Sequence, residues 1–393
     1  MRVVVYVHHM EIGGSQLGAL ELARETMARG HDVLVLAPPG GALWEVADRF
    51  GLDTVTLPTH LSWPSPRNMA EVASAVRRTR ADVVHAYEWG PAIDVALGTH
   101  LLFGTPAVVT TMSMYVSGYI PRHLPLVVGT RRLAQEAADR DYRHVELLEP
   151  PVDTVANAPG VAGGPGARAR WGFRPDDVVV AVVCRLTDDL DKTAGILEAM
   201  DVVEQAGPAS PVRLLVVGDG PRTDAAAARA EKVNAELGRP AVVMAGALDD
   251  PRPAYDAADV VIGMGSSVLK GMAFGKPVVV QGERGFWRGL DEPSLSTFLD
   301  QGWYGAGGAG APALAAALDP LVRDAGLRAE LGAFGHRVVT GRYSLAASAE
   351  RMEQIYRAAA ATGRRSPRAL TRLAARVALD VTRGRLRERP TRD

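Results

Sequence analysis

The stretch VVIGMGSSVLKGMAFGKPVVV, residues 260–280, reads as a strand, a glycine turn, a helix and a second strand. Val260–Ile262 is β-branched and apolar, Gly263 and Gly265 interrupt it, Val268–Phe274 has helical spacing, and Pro277–Val280 is apolar again. Glycine lets backbone N–H groups come close to a ligand, and a helix N-terminus favours anions. The same order occurs far upstream: Val3–Val7, then Gly13-Gly14, then a helix-period run over Ser15–Arg29. Two such loops in one chain predict two nucleotide-fold domains facing each other across a phosphate-bearing ligand.

Working outward, strand-like runs fall at Asp32–Leu36, Asp53–Leu57, Val83–His85, Ala107–Thr111 and Leu126–Val128, with helix-period stretches between them. After NAPGVAGGPGAR (157–168) the alternation restarts, with strands at Val178–Cys184, Arg213–Val217 and Ala241–Met244. Near-continuous apolar strands separated by helices imply parallel sheets covered on both faces, hence α/β architecture with two Rossmann-like domains facing across a cleft. The expected division is an N-terminal domain over 1–156, a linker over 157–170 and a second domain over 171–340. A C-terminal crossover helix over 341–362 and a basic tail over 363–393 follow.

Composition narrows the function classes. Hydrophobic residues make up 47% and charged residues 23%, ordinary values for a globular protein. One cysteine, Cys184, excludes a disulfide framework and a multi-cysteine metal site, and fits a reducing cytoplasm. No Cys or His cluster has zinc spacing, so no metal is expected. MRVVVYV at the start has neither the long apolar core nor the cleavage site of a signal peptide. Gly98, Gly104 and Pro106 punctuate the apolar residues 95–120, which argues against a membrane span there. The tail carries ten arginines over 364–392 against Asp380, Glu388 and Asp393, which leaves the rest of the chain acidic. Nucleic-acid binding is not expected, because that tail lacks interleaved aromatics. High alanine and arginine content suits a high-GC bacterial genome.

Seven segments occur in a telling order: GGSQ (13–16), DVVHAYE (82–88), CRLTDDLDK (184–192), VVGDGP (216–221), AYDAADVVIG (254–263), MAFGKPVVV (272–280) and RYSLAASAERMEQIY (342–356). The set resembles the family-four glycosyltransferases of the GT-B fold, which are retaining and depend on nucleotide sugars. The resemblance implies a glycosyltransferase that moves a sugar from a nucleotide diphosphate to an acceptor hydroxyl, without a metal or other cofactor. The acceptor would be a lipid-linked glycan or a small molecule, bound by the N-terminal domain. Cell-envelope polysaccharide and glycosylated natural products are both open as pathways. A degenerate homologue that binds a nucleotide and assists a partner transferase is the alternative, and a sugar-nucleotide epimerase of the same fold is a weaker one.

Carried onto this sequence, the resemblance has Arg185 and Lys192 hold the diphosphate, where fixed cations meet the charge developing on the leaving group. The plainer alternative is a pair of surface cations balanced by Asp188, Asp189 and Asp191. Gly13 and Gly14 would lie against donor phosphates, and Gly263, Gly265 and Ser266 would offer N–H groups. Met244 lies in the segment that runs beside the base. The Gly218–Pro221 turn is expected to shape a strand–helix connection.

Two departures bear on the sugar. The family commonly carries two glutamates eight positions apart; counted back from AFGKPVVV, those positions hold Ile262 and Lys270. A histidine often follows the strand ending near Thr111, where this chain has Ser113. Ser113 and His85 are therefore the candidates on the sugar side, with His8, His9, Ser267 and Glu283 behind them. Trp287, Trp303 and Tyr304 are candidates for stacking on an acceptor, or for core packing. In the tail, Ser366-Pro367 signals a helix start, and Leu370, Leu373, Val377 and Val381 recur at helical spacing among arginines. Such a basic amphipathic helix can lie on an anionic bilayer, placing the protein at the inner membrane surface, or can be a solvated extension.

Overall fold

The computed structural model describes residues 1–59, 63–163, 165–362 and 367–382. The chain divides into two compact units, one of residues 1–151 with 345–393 and one of residues 152–344.

The first unit runs β1 (Arg2–Tyr6), α1 (Gly14–Ala28), β2 (Asp32–Ala37), α2 (Leu43–Arg49), β3 (Asp53–Thr56), α3 (Pro66–Thr79) and β4 (Val83–Tyr87). It continues with α4 (Trp89–Val95), α5 (Leu101–Phe103), β5 (Ala107–Thr111), β6 (Leu126–Val128), α6 (Arg131–Asp139) and β7 (Val145–Leu147). Its seven strands are all parallel, in the order β3-β2-β1-β4-β5-β6-β7. The second unit contains α7 (Pro165–Ala169), β8 (Val178–Val183), α8 (Lys192–Ala206), β9 (Val212–Val217), α9 (Thr223–Leu237), β10 (Val242–Gly246) and α10 (Arg252–Ala257). Then come β11 (Val260–Gly263), α11 (Ser266–Ala273), β12 (Val278–Gln281), β13 (Trp287–Gly289), α12 (Glu292–Gln301), α13 (Ala311–Arg323) and α14 (Ala325–Arg342). Its sheet order is β10-β9-β8-β11-β12-β13, parallel except for β13. The chain ends in α15 (Leu345–Thr362) and α16 (Pro367–Thr382).

Alternation along each strand feeds two cores per sheet. Val3 and Val5 of β1 enter the core under α1 and α15, while Val4 and Tyr6 enter the core under α3 and α4. In the second unit Val180 and Val182 face α8 and α9, while Val179 and Ala181 face α11 and α14. Each such valine contributes about 1.5–3 kcal/mol on burial. That is why the strands read as unbroken apolar runs. Both sheets reverse their winding at an inner pair, β1/β4 and β8/β11, which puts the loops at those C-terminal strand ends where ligands bind in such folds.

Two expectations need correction. Residues 157–170 are not a linker, because the second unit already begins at Val152. There Arg168 donates to the Asp259 carboxylate at 2.8 Å and to the Asp177 carbonyl at 2.6 Å, and Gly160 N donates to Asp256 at 3.1 Å. Low pattern in the sequence hid contacts made by one arginine and by backbone. The tail is not simply a free basic helix either. Leu373 and Val377 are buried in the first unit's core, Arg376 donates to the Gly118 carbonyl at 3.0 Å, and Tyr119 donates to Asp380 at 2.9 Å. Leu373 and Val377, the members of the apolar stripe whose side chains are described, are thus covered by protein. The side chains of Leu370 and Val381, and all of Ser366 and Gly384, lie outside the described residues.

No helix among the described residues is long and apolar enough to cross a membrane. Helix α15 belongs to the first unit because Leu345, Ala349, Met352, Ile355 and Tyr356 pack with Ala19, Leu20 and Ala23 of α1.

Candidate functional site

In the second unit the candidate residues gather at the ends of β8, β9, β10 and β11. The loop from Cys184 to Lys192 is pressed onto the turn after β9. Leu186 N donates to the Asp219 carbonyl at 2.8 Å and Arg222 N to the Leu186 carbonyl at 3.1 Å. A Cβ on Gly218 would stand 1.9 Å from the Cys184 carbonyl oxygen, and one on Gly220 2.4 Å from that of Leu186. These glycines shape the connection, as expected from VVGDGP. Burial pushes the Cys184 thiol up to about 11, so it stays protonated and inert.

The loop ends in two left-handed residues, Leu190 and Asp191, both at φ 55, immediately before α8. Arg185 is exposed and Lys192 half-buried. Lys192 Nζ lies 2.5 Å from Asp189 Oδ2, and Arg222 Nε donates to Asp188 at 2.8 Å, which holds the Asp188 carboxyl below its ordinary range. Both cations expected at a diphosphate thus sit on one loop among acidic neighbours. An exposed pair of this kind is worth about 0–1 kcal/mol, a small barrier to handing the ammonium to a phosphate.

Across from it, β11 ends at Gly263 (φ 150) and Gly265 (φ 58), and α11 starts at Ser266 with no side chain capping its N-terminus. Gly265, the N-cap residue, has no side chain to offer the first N–H groups, which carry the positive end of the helix dipole. Gly265 N is held by the Trp303 carbonyl at 2.7 Å, and Ser267 Oγ accepts from Tyr255 at 3.2 Å. Lys270, half-buried in the last turn of α11, is among the charges that hold Asp250 below its ordinary range, behind the hydrogen bond from Arg252. Met244 is half-buried in β10 opposite Val216, just before a bulge at Gly246. Ile262 is fully buried inside β11, paired with Val182 and Val279. Only Met264 and Gly265 connect β11 to α11, so position 262 is a strand residue rather than a loop position open to a sugar. Trp287 and Trp303 are buried: Trp287 donates to Glu198 at 2.5 Å and Trp303 to Tyr343 at 2.9 Å, and Glu283 accepts from Tyr304. The two tryptophans are core, not stacking platforms.

The first unit's candidates separate into two kinds. His85 is corrected outright: it is fully buried in β4, with Nδ1 2.8 Å from Tyr356 Oη and Nε2 2.6 Å from Thr110 Oγ1. Burial lowers its pKa to about 3, so it is neutral and both ring nitrogens are occupied. Ser113 is held by a residue the sequence reading passed over. Glu88 accepts from Ser113 Oγ at 2.8 Å, Ser113 N at 3.2 Å, Met112 N at 2.9 Å and Thr111 Oγ1 at 2.9 Å. It does so from a φ of 69, which costs on the order of 1–3 kcal/mol for a residue with a side chain. Its signal was an acid at the very end of the buried run VVHAY, where a strand meets a helix.

Gly13 caps α1 in extended conformation (φ −161) and Gly14 begins the helix. Ser15 falls inside the first turn, and its buried Oγ has no partner among the described residues. Gln16 Nε2 lies 3.0 Å from His8 Nε2 and 2.8 Å from His9 Nε2. Burial, with His9 adding, lowers His8 to about 3. Among the described residues no group of three or more potential metal ligands occurs.

Residues 12–154 match the family described as Glycosyltransferase Family 4, and residues 177–324 match the family described as Glycosyl transferases group 1. No curated protein matches the chain. Among solved structures, a glycosyltransferase from Rickettsia africae superposes with a TM-score of 0.72 at 17% identity, covering 91% of this chain and 98% of that one. HepE of Anabaena, solved with UDP-glucose, gives 0.70 at 15% identity over 90% of this chain and 98% of its own. WaaG, a glycosyltransferase of lipopolysaccharide biosynthesis, gives 0.59 at 15% identity over 90% of this chain and 99% of its own. The architecture is GT-B.

Proposed function

This chain belongs to the glycosyltransferases, built of a family 4 and a group 1 domain, and from that premise we propose that it transfers a sugar from a nucleotide diphosphate to an acceptor hydroxyl with retention at the anomeric carbon. The observation that carries the donor half is the second unit's anion-seeking surface. Arg185 and Lys192 sit on one rigid loop, and the uncapped head of α11 follows Gly263 and Gly265. A leaving diphosphate gains negative charge as the glycosidic bond breaks, and preset cations and N–H groups stabilise that state. Arg185 and Lys192 take this role without a metal. Lys270 meets ribose or phosphate, Met244 lies by the base, and Gly13 and Gly14 present backbone to the donor. The first unit binds the acceptor and contributes Ser113 toward the transferred sugar.

Transfer on one face of the sugar requires orientation and a stabilised leaving group rather than a protein nucleophile, so a missing glutamate does not preclude it. HepE was solved with UDP-glucose, which makes uridine the first base to try. WaaG acts in lipopolysaccharide biosynthesis, and another structural neighbour is the glycotransferase of kitacinnamycin. Cell-envelope and natural-product acceptors both follow as substrates to test. We place the enzyme in the cytoplasm; contact with the inner membrane would run through arginine charge, since Leu373 and Val377 are covered.

Burial of Ile262 favours one second reading, a homologue that binds nucleotide and assists a partner transferase. Calorimetry with a panel of nucleoside diphosphates and their sugars, on wild type and Arg185→Ala, tests the donor site. Base-selective binding lost in the variant is expected. With a donor in hand, Arg185→Ala should lower turnover about 100-fold at an unchanged melting temperature. Unaltered binding in the variant removes the diphosphate assignment, and binding without turnover on any acceptor leaves the assisting role.

A further inference from the structure

Next to Lys192 the second unit carries a cavity of about 380 Å³, lined by Asp191, Glu198, Arg284, Ala194 and the backbone of glycines from two loops. Two strained residues line it, Asp191 at φ 55 and Arg284 at φ 56. Strain of this kind persists only where surrounding contacts enforce it, and it concentrates at functional sites. Here the contacts are explicit. Arg284 N donates to Asp191 Oδ2 at 2.8 Å, and Gln281 Nε2 donates to the Asp191 carbonyl at 2.9 Å. The end of β12 is thereby tied to the head of α8.

The remaining walls are equally fixed. Trp287 holds one oxygen of Glu198, and the other lies 3.0 Å from where a Cβ on Gly310 would stand. Cβ atoms at Gly285 and Gly308 would meet neighbouring backbone at 2.6 and 2.2 Å, so those glycines serve the close approach of the two loops. The result is a rigid hollow in which Asp191 and Glu198 supply acceptors, Arg284 a donor and Ala194 one methyl. That chemistry suits hydroxyl groups and offers little to a flat base or an acyl chain. The volume is near the low end of small-ligand sites, about 300–1,000 Å³, which fits one sugar ring better than a whole nucleotide sugar.

We propose that this cavity receives the glycosyl group of the donor and that Arg284, Asp191 and Glu198 select it by its hydroxyl pattern. The assignment rests on the donor reading above, which sets the diphosphate on Arg185 and Lys192, one residue from Asp191.

Ala194 is exposed on α8, so Ala194→Trp fills the hollow from a helix surface, with thermal melts as the check on folding. Arg284→Gly removes the guanidinium and keeps the left-handed turn. Calorimetry compares bare nucleoside diphosphates with their sugar conjugates, UDP and UDP-glucose first. Ala194→Trp should weaken the conjugate about tenfold and leave the diphosphate unchanged. Arg284→Gly should weaken the conjugate by a smaller factor and carries the test alone if the tryptophan variant misfolds. Equal affinity of wild type and both variants for the conjugate overturns the assignment, as does equal loss for conjugate and diphosphate. Binding of no nucleotide by the wild type would instead sink the donor reading.

Discussion

The glycine turns after β1 and after β11 look alike in sequence and differ in what they demand of the backbone. Gly263 and Gly265 adopt φ 150 and 58, conformations that side-chain-bearing residues avoid. Gly13 is extended at φ −161, open to any residue, and a Cβ there would meet only the movable end of Gln16. The second unit's glycines are therefore imposed by the turn. The first unit's Gly13 is not imposed in this way. A glycine doublet by itself does not distinguish these cases.

Substitutions can break that contrast. The largest effect should come from Gly218→Ala, where both a φ of 133 and a Cβ 1.9 Å from the Cys184 carbonyl oppose a side chain. We expect a loss of at least about 4 kcal/mol in a denaturant titration. A near-native midpoint would mean that the turn after β9 is softer than described.

The next effect sharpens the contrast between the units through pH. In the first unit Asp94 is buried and accepts from Ser65 N at 2.8 Å and Tyr6 Oη at 3.2 Å, yet burial still raises its pKa to about 7. A carboxyl raised in the folded state binds its proton more tightly there than in the unfolded chain. Its stabilising effect is thus present at low pH and lost as pH climbs from about 4 to about 7, a fall of order 3 kcal/mol. Asp94→Asn should flatten this slope in melts taken across that window; an unchanged slope assigns the titration elsewhere.

Gly265→Ala should cost about 1–3 kcal/mol in stability, from backbone strain alone, since nothing lies within 4 Å of the added Cβ. Gly13→Ala should be smallest in stability, within about 0.5 kcal/mol, while weakening nucleoside diphosphate binding. A Gly13→Ala protein that binds as tightly as wild type would leave the first glycine pair without a ligand role.

The reading of particular residues follows a physical pattern. β1, β4, β8 and β11 were legible because strands buried on both faces must be apolar at every position. The places of Arg185 and Lys192 on one loop before α8, and of Gly263 and Gly265 before α11, were legible because ordered motifs bracket them. Glu88 was missed: a single acid at a strand end carries no periodicity, and its four hydrogen bonds come from Thr111, Met112 and Ser113, residues distant in sequence. His85 misled for the converse reason. The same side chain at a strand end serves a substrate or a core, and only the hydroxyls of Thr110 and Tyr356 on its two nitrogens decide which.

The sequence by itself determined that two parallel α/β units would form and which loops would stand at their strand ends. Hydrophobic period and glycine placement are local properties, and the winding rule then dictates where the loops emerge. Only the tertiary structure decided that residues 157–170 fold into the second unit, that α16 buries Leu373 and Val377, and that Asp191, Glu198 and Arg284 meet around one hollow. Those outcomes depend on groups far apart in the chain, and their contact energies become known only when the chain has brought them together.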